Sequence, residues 1–339
     1  MGIEKKYGIN IGKLKKGKLN LITDVPGIKV GHCTLDNKDI KTGVTCILPH
    51  QGNIFKNKVL GATSVINGFG KSVGLVQVEE LGTIETPILL TNTLSVGTVS
   101  SALVKYMLDN NEDIGKTTGT VNPLVLECND GYLNNIRAME IEANHVFKAI
   151  DNVSDIFQEG SVGAGTGMSC YELKGGIGSS SRVIELEGKE YTIGTLVLSN
   201  CGLFNQLQIN GKNISKNLEN KNEELEKGSI IMIIATDIPL SERQLKRVAN
   251  RASIGLIRTG SYLGNGSGDI SIAFTTGNII KHYEENDIIK IQAINENKID
   301  LIFKGVGESI EESIVSSMLH SETTTGRDGH MRKSLKEYI

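Results

Sequence analysis

The chain contains no tryptophan, and its aromatic residues amount to only 4% of 339 positions. Cores must therefore be packed from Ile, Leu, Val and Ala. Charge of one sign is also missing. With 36 Lys and Arg against 39 Asp and Glu, the net charge is −3, too weak a field to point to nucleic acid or an anionic membrane. The five cysteines, Cys33, Cys46, Cys128, Cys170 and Cys201, are odd in number and form no C-x-x-C pair. That argues against a disulfide framework and against a structural zinc site, and fits reduced thiols in the cytosol. The stretch 1–18 is lysine-rich but lacks an apolar signal core. No apolar run approaches the length of a membrane span. The six histidines form no H-E-x-x-H motif and no tight cluster with carboxylates, so no metal site is expected. A soluble cytoplasmic protein is the expectation.

What is present is glycine, 39 residues of it, and alternating strand-like and helix-like stretches. Short strands are expected at Val44–Leu48, Gly61–Ile66, Ile88–Thr91, Leu124–Leu126, Thr192–Ser199 and Ser267–Phe274. Helices are expected over 93–108, with Val96, Val99, Leu103 and Met107 at helical spacing, and again around Ile136, Met139, Ala143, Val146 and Ile150. A capping box at Ser241-Glu242-Arg243-Gln244 opens another helix carrying Leu245, Val248, Ala252 and Leu256. Ser309-Ile310-Glu311-Glu312 is read as the cap of a last one. Two glycine-dense segments, 163–168 and 175–181, stand between. Many strands adjoin strands, so a layered α/β sandwich is favoured over a doubly wound parallel sheet. Residues 213–227, rich in Asn, Lys and Glu, form the most linker-like stretch.

Directly after that stretch comes Gly228-Ser229, followed by Ile230-Ile231-Met232-Ile233-Ile234-Ala235. Six apolar residues without a polar break read as a buried strand. Ser229 then sits at its mouth, either as an ordinary strand-initiating serine or as a nucleophile exposed by a cut at Gly228-Ser229. Ser267 and Asp269 alternate along a strand and so share one face; they form either a polar edge or a pair able to orient an amine. Asn200, at a strand end before Gly202, can cap a turn or donate to a developing oxyanion. Tyr132 is a second such donor or a partly buried core tyrosine. The Gly163-Ala164-Gly165-Thr166-Gly167 spacing does not match a dinucleotide fingerprint, and Gly70-Lys71-Ser72 has Val65 where a P-loop needs glycine.

Five ordered stretches resemble the DmpA-type serine aminopeptidases, the family of L-aminopeptidase/D-alanine esterase and the β-peptidyl aminopeptidases. They are Ile22–His32, Val162–Met168, Gly228–Asp237, Asn265–Ile270 and Thr324–Gly329. The resemblance runs from about residue 20 to the end. It implies a four-layer αββα sandwich, like that of the N-terminal-nucleophile hydrolases but with different strand connectivity. It implies one domain over 1–339, self-cleaved into 1–228 and 229–339. By the same resemblance the nucleophile is Ser229, its partners are Ser267 and Asp269, the oxyanion asparagine is Asn200 and the active-site tyrosine Tyr132. Glu127 is placed as the acid receiving the substrate amine. The β-peptidyl members carry Glu where this chain has Asp269.

The expected activity is a self-processing serine aminopeptidase that releases N-terminal residues from small peptides, amides or esters through an acyl-enzyme. It needs no cofactor or metal and works as a homo-oligomer, a tetramer by the resemblance. Two other readings compete. One is an acyltransferase of the ornithine acetyltransferase type, whose nucleophile is a threonine; the other is a non-catalytic binding protein on the same scaffold.

Overall fold

A computed structural model describes residues 3–215, 226 and 228–339. Its main strands are β1 (Lys29–Asn37), β2 (Ile40–Leu48), β3 (Asn57–Gly68), β4 (Thr83–Ile84), β5 (Ile88–Asn92), β6 (Leu124–Cys128), β7 (Gly176–Leu186), β8 (Lys189–Asn200), β9 (Ser229–Thr236) and β10 (Gly268–Lys281). The helices that cover them are α1 (Val96–Asn110), α2 (Ala143–Asp151), α3 (Glu242–Asn250), α4 (Ala252–Arg258) and α5 (Asp300–Leu319). One sheet has four strands in the order β1-β2-β5-β6; the other has six, β4-β3-β10-β9-β8-β7.

The apolar run 230–235 is explained by where its two faces go. Successive side chains of a strand point to opposite faces. Ile231, Ile233 and Ala235 enter a core shared with Ile47, Leu90 and Leu126 of the four-stranded sheet. Ile230, Met232 and Ile234 enter a second core with Leu245, Val248, Leu256, Ile310 and Ile314 of α3, α4 and α5. On the far side of the four-stranded sheet, Val44, Cys46, Leu89 and Val125 pack against Val99, Leu103 and Met107 of α1 and Val146 and Ala149 of α2. Three cores separate four layers in the order α, β, β, α, as expected. Among the described residues, no helix is long and apolar enough to cross a membrane.

Three local expectations are corrected, and one glycine-dense segment is resolved into a strand. The last helix starts at Asp300, not at Ser309, which lies buried in its middle. The reason is a fully buried guanidinium across the layer: Arg182 binds Glu308 at 3.2 Å and Glu312 at 2.7 Å, so two glutamates of that helix face inward. The helix read around Ile136 and Met139 begins only at Ala143; Met139 has φ of 50° and ends a short 3-10 turn. The helix opened by Ser241, whose capping box is present, breaks at Arg251 into α3 and α4. The glycine-dense segment 175–181 is mostly strand β7. Its Gly178 is obligatory, because a Cβ there would lie 1.9 Å from the Ser313 carbonyl oxygen of α5. The linker-like stretch 213–227 lies largely outside the described residues.

Candidate active site

The strand order brings the polar candidates to one end of the sheets. In the antiparallel β8–β9 pair, Asn200 stands opposite Ser229; in the parallel β9–β10 pair, Ser229 stands opposite Gly268. In the β3–β10 pair, Asp269 faces Asn67. Glu127, near the end of β6, belongs to the facing sheet. A cavity of about 1160 Å³ opens there, lined among others by Glu127, Tyr132, Asn200, Gly228, Ser229 and Arg332.

At the floor of this cavity the Ser229 Oγ donates to the Gly228 carbonyl oxygen at 2.7 Å and accepts from the Gly268 N–H at 3.2 Å. The Gly268 N–H also reaches the Gly228 carbonyl oxygen, at 3.1 Å. The serine oxygen thus lies against the carbonyl of the residue before it. Position 228 has no room for a side chain: a Cβ would fall 2.3 Å from the Asn200 carbonyl oxygen. Close backbone approach of this kind is what glycine permits.

The Ser267 Oγ donates to Asp269 Oδ1, and the Asn67 Nδ2 donates to Asp269 Oδ2 at 3.0 Å. Burial is the main influence on Asp269 and pushes its carboxyl above the usual range; those two bonds act against it. Ser267 precedes β10 rather than lying in it, yet its side chain still meets Asp269.

The amide of Asn200 is oriented on both atoms. Its Oδ1 accepts from the Ser169 N–H at 2.8 Å, and its Nδ2 donates to the Asn129 carbonyl at 3.1 Å. The second Nδ2 hydrogen meets no acceptor among the described residues. Ser169 is itself held by its neighbourhood. The fully buried Lys174 ammonium donates to the carbonyls of Gly165, Met168 and Gly175, and burial lowers its pKa to about 7. Glu127 is buried, and accepts from the Lys71 N–H at 2.8 Å and from the Thr93 hydroxyl. Tyr132 is 39% exposed. Its ring stacks on His330 at 4.7 Å, with the Arg332 guanidinium 3.7 Å from its centre. Among the described residues no hydrogen bond joins its hydroxyl to Ser229.

Of the residues singled out in the sequence, Glu127, Tyr132, Asn200, Gly228 and Ser229 line this cavity; Ser267 and Asp269 bond each other, and among the described residues no hydrogen bond joins either to Ser229. Sequence reasoning missed Asn67, Ser169, Lys71 and Thr93, which hold Asp269, Asn200 and Glu127 in place. It also missed Arg332, whose Nε donates to the Ser169 Oγ at 3.2 Å. Asn67 directly follows the expected strand Gly61–Ile66, and its role depends on strand register. Among the described residues no group of His, Cys, Asp and Glu is arranged to hold a metal ion.

Residues 20–332 match the model of peptidase family S58. The chain is 34% identical over 359 residues to the β-peptidyl aminopeptidase BapA of Sphingosinicella microcystinivorans, covering 96% of this chain and 89% of that protein. Among solved structures it resembles the PH0078 protein from Pyrococcus horikoshii OT3, with 55% identity, a TM-score of 0.94 and coverage of 98% and 95% of the two chains. It also resembles the L-aminopeptidase D-Ala-esterase/amidase from Ochrobactrum anthropi, with 34% identity, a TM-score of 0.91 and coverage of 98% of each chain. That enzyme is described as a prototype for the serine aminopeptidases and a new variant among the Ntn hydrolase fold.

Proposed function

The chain belongs to peptidase family S58, and on that premise we propose that it is a self-processing serine aminopeptidase with Ser229 as nucleophile. The observation that carries this is the Ser229 hydroxyl lying 2.7 Å from the Gly228 carbonyl oxygen at the floor of an open cavity. In the precursor, Ser229 Oγ attacks the Gly228 carbonyl carbon. The C–N bond breaks, its nitrogen leaves as the amine of Ser229, and Gly228 is held as an ester. Water hydrolyses that ester to the Gly228 carboxylate and the free hydroxyl. Residues 1–339 then form one αββα unit cut into 1–228 and 229–339.

The new α-amine has an ordinary pKa of about 7.7–8.0, so near neutral pH it can take the proton from its own hydroxyl. Ser267 and Asp269 orient that amine and stabilise its charged form. Asn200, and Tyr132 on the cavity wall, donate to the oxyanion formed on the substrate carbonyl. Glu127 pairs with the substrate ammonium, which restricts cleavage to N-terminal residues. The acyl-enzyme then passes to water. Small peptides, amides and esters are the substrates this chemistry takes, as the names of the relatives also suggest. The reaction needs neither metal nor cofactor. The enzyme works in the cytoplasm, in keeping with its five unpaired cysteines, and as a homotetramer. Intact-mass analysis and N-terminal sequencing should find 1–228 and a fragment beginning at Ser229, together with hydrolysis of aminoacyl p-nitroanilides. A fully active preparation that remains one chain would overturn the self-processing.

A further inference from the structure

Two residues before the proposed cut, Glu226 is only 2% exposed. A buried carboxylate requires partners, and this one has them. Its Oε1 accepts from the Ser261 hydroxyl at 2.6 Å and its Oε2 from the Tyr262 N–H at 3.2 Å; its own N–H donates to the Tyr262 hydroxyl at 2.7 Å. All three contacts come from the turn that follows α4. The same turn is tied to the site from the other side. Asn67 Nδ2 donates to the carbonyls of Leu263 and Gly264 at 2.8 and 3.2 Å, and to Asp269.

We propose that Glu226 is a positioning residue for self-cleavage: it clamps the segment leading into the scissile bond onto the Ser261–Tyr262 turn, so that the Gly228 carbonyl is presented to Ser229 Oγ. The proposal rests on the self-processing reading above. Two residues span at most about 7 Å, so an anchor at 226 leaves Gly228 little freedom. From the downstream side the same carbonyl is held by the Gly268 N–H at 3.1 Å. The scissile peptide is thus held at its own carbonyl and, two residues upstream, at Glu226. Intramolecular attack depends on such alignment, and a misplacement of about 1 Å costs roughly 10²-fold in rate. No role beyond placement is required of the carboxylate, and it takes no proton in the reaction.

The test follows newly made chain in a cell-free translation, pulse-labelled and chased, with the uncut fraction read on gels. Glu226→Ala should slow cleavage by at least ~10-fold. Ser261→Ala should slow it less, and the double variant should be no slower than Glu226→Ala alone, because both remove one contact. Glu226→Gln, which keeps a carbonyl acceptor, should recover part of the rate. Placed in an uncleavable Ser229→Ala background, Glu226→Ala should melt within about 3 °C of its parent. If it does not fold, Ser261→Ala and Tyr262→Phe decide the matter by the same chase. Cleavage of Glu226→Ala at the wild-type rate, or independent multiplying effects of Ser261→Ala and Glu226→Ala, would refute the clamp while leaving self-processing standing. A wild-type chain that is never cut would refute both.

Discussion

Replacing Asn200 separates an oxyanion donor from a structural amide. Asn200→Ala removes both of its hydrogen bonds, to the Ser169 N–H and to the Asn129 carbonyl. The Asn129 side faces solvent, so the structural loss is mainly one partly buried N–H without an acceptor, about 1–3 kcal/mol. The catalytic loss is separate. The second Nδ2 hydrogen is the one able to reach a charged carbonyl oxygen, and deletion of such a donor costs about 10²–10³ in kcat. Because the interaction strengthens only as charge develops, KM should change little. Asn200→Asp provides the contrast. It keeps the acceptor for Ser169 but turns a donor into a negative oxygen beside the developing oxyanion. At about 4 Å and an effective dielectric near 20, that repulsion is about 4 kcal/mol, so the aspartate should be slower than the alanine. Rates should be measured on aminoacyl p-nitroanilides and divided by the processed fraction from intact mass. An aspartate variant faster than the alanine, or an alanine variant within tenfold of wild type in kcat, would show that Asn200 only holds the loop.

Asp269→Asn should lose activity yet gain stability at neutral pH. Burial raises the folded carboxyl above its unfolded value, so the folded state binds the proton more tightly and wild-type stability falls as pH rises from the unfolded pKa through the folded one. The melting-temperature advantage of the asparagine variant should therefore be absent near pH 3 and grow across that window; an advantage that shrank with rising pH would contradict it. Arg182→Met should be strongly destabilising. It removes the fully buried guanidinium shared by Glu308 and Glu312 and leaves Glu308 the Leu14 N–H and Glu312 the partly buried Lys16 and Asn20; breaking such a buried pair costs about 3–5 kcal/mol. Urea unfolding should show a lower midpoint with an unchanged slope, and a midpoint within error of wild type would contradict the burial argument.

Sequence pattern marks candidate residues where chemistry and local structure coincide. The run from Ile230 to Ala235 was legible because β9 is buried on both faces, between the facing sheet and the helix layer. That leaves no polar alternation to obscure it. Gly228, Ser229, Ser267 and Asp269 stood out as small or polar residues abutting such strands, and the family resemblance supplied their order. The misreadings arise where a residue's partner is far along the chain. Glu308 and Glu312 look solvent-facing in a helix, and Ser309 looks like a cap, until Arg182 is placed 126 positions upstream of Glu308. Asn67 looks like a turn residue until β3 pairs with β10 and sets it against Asp269. Glu226 falls in the linker-like stretch for the same reason: nothing local announces Ser261 and Tyr262, 35 and 36 positions away. The proposed reactive atoms sit at strand ends, where local pattern marks them. The groups that aim those atoms come from other strands and turns, and only register brings them together. Nucleophile candidates are therefore accessible from one sequence, whereas the side chains that would set its rate are not.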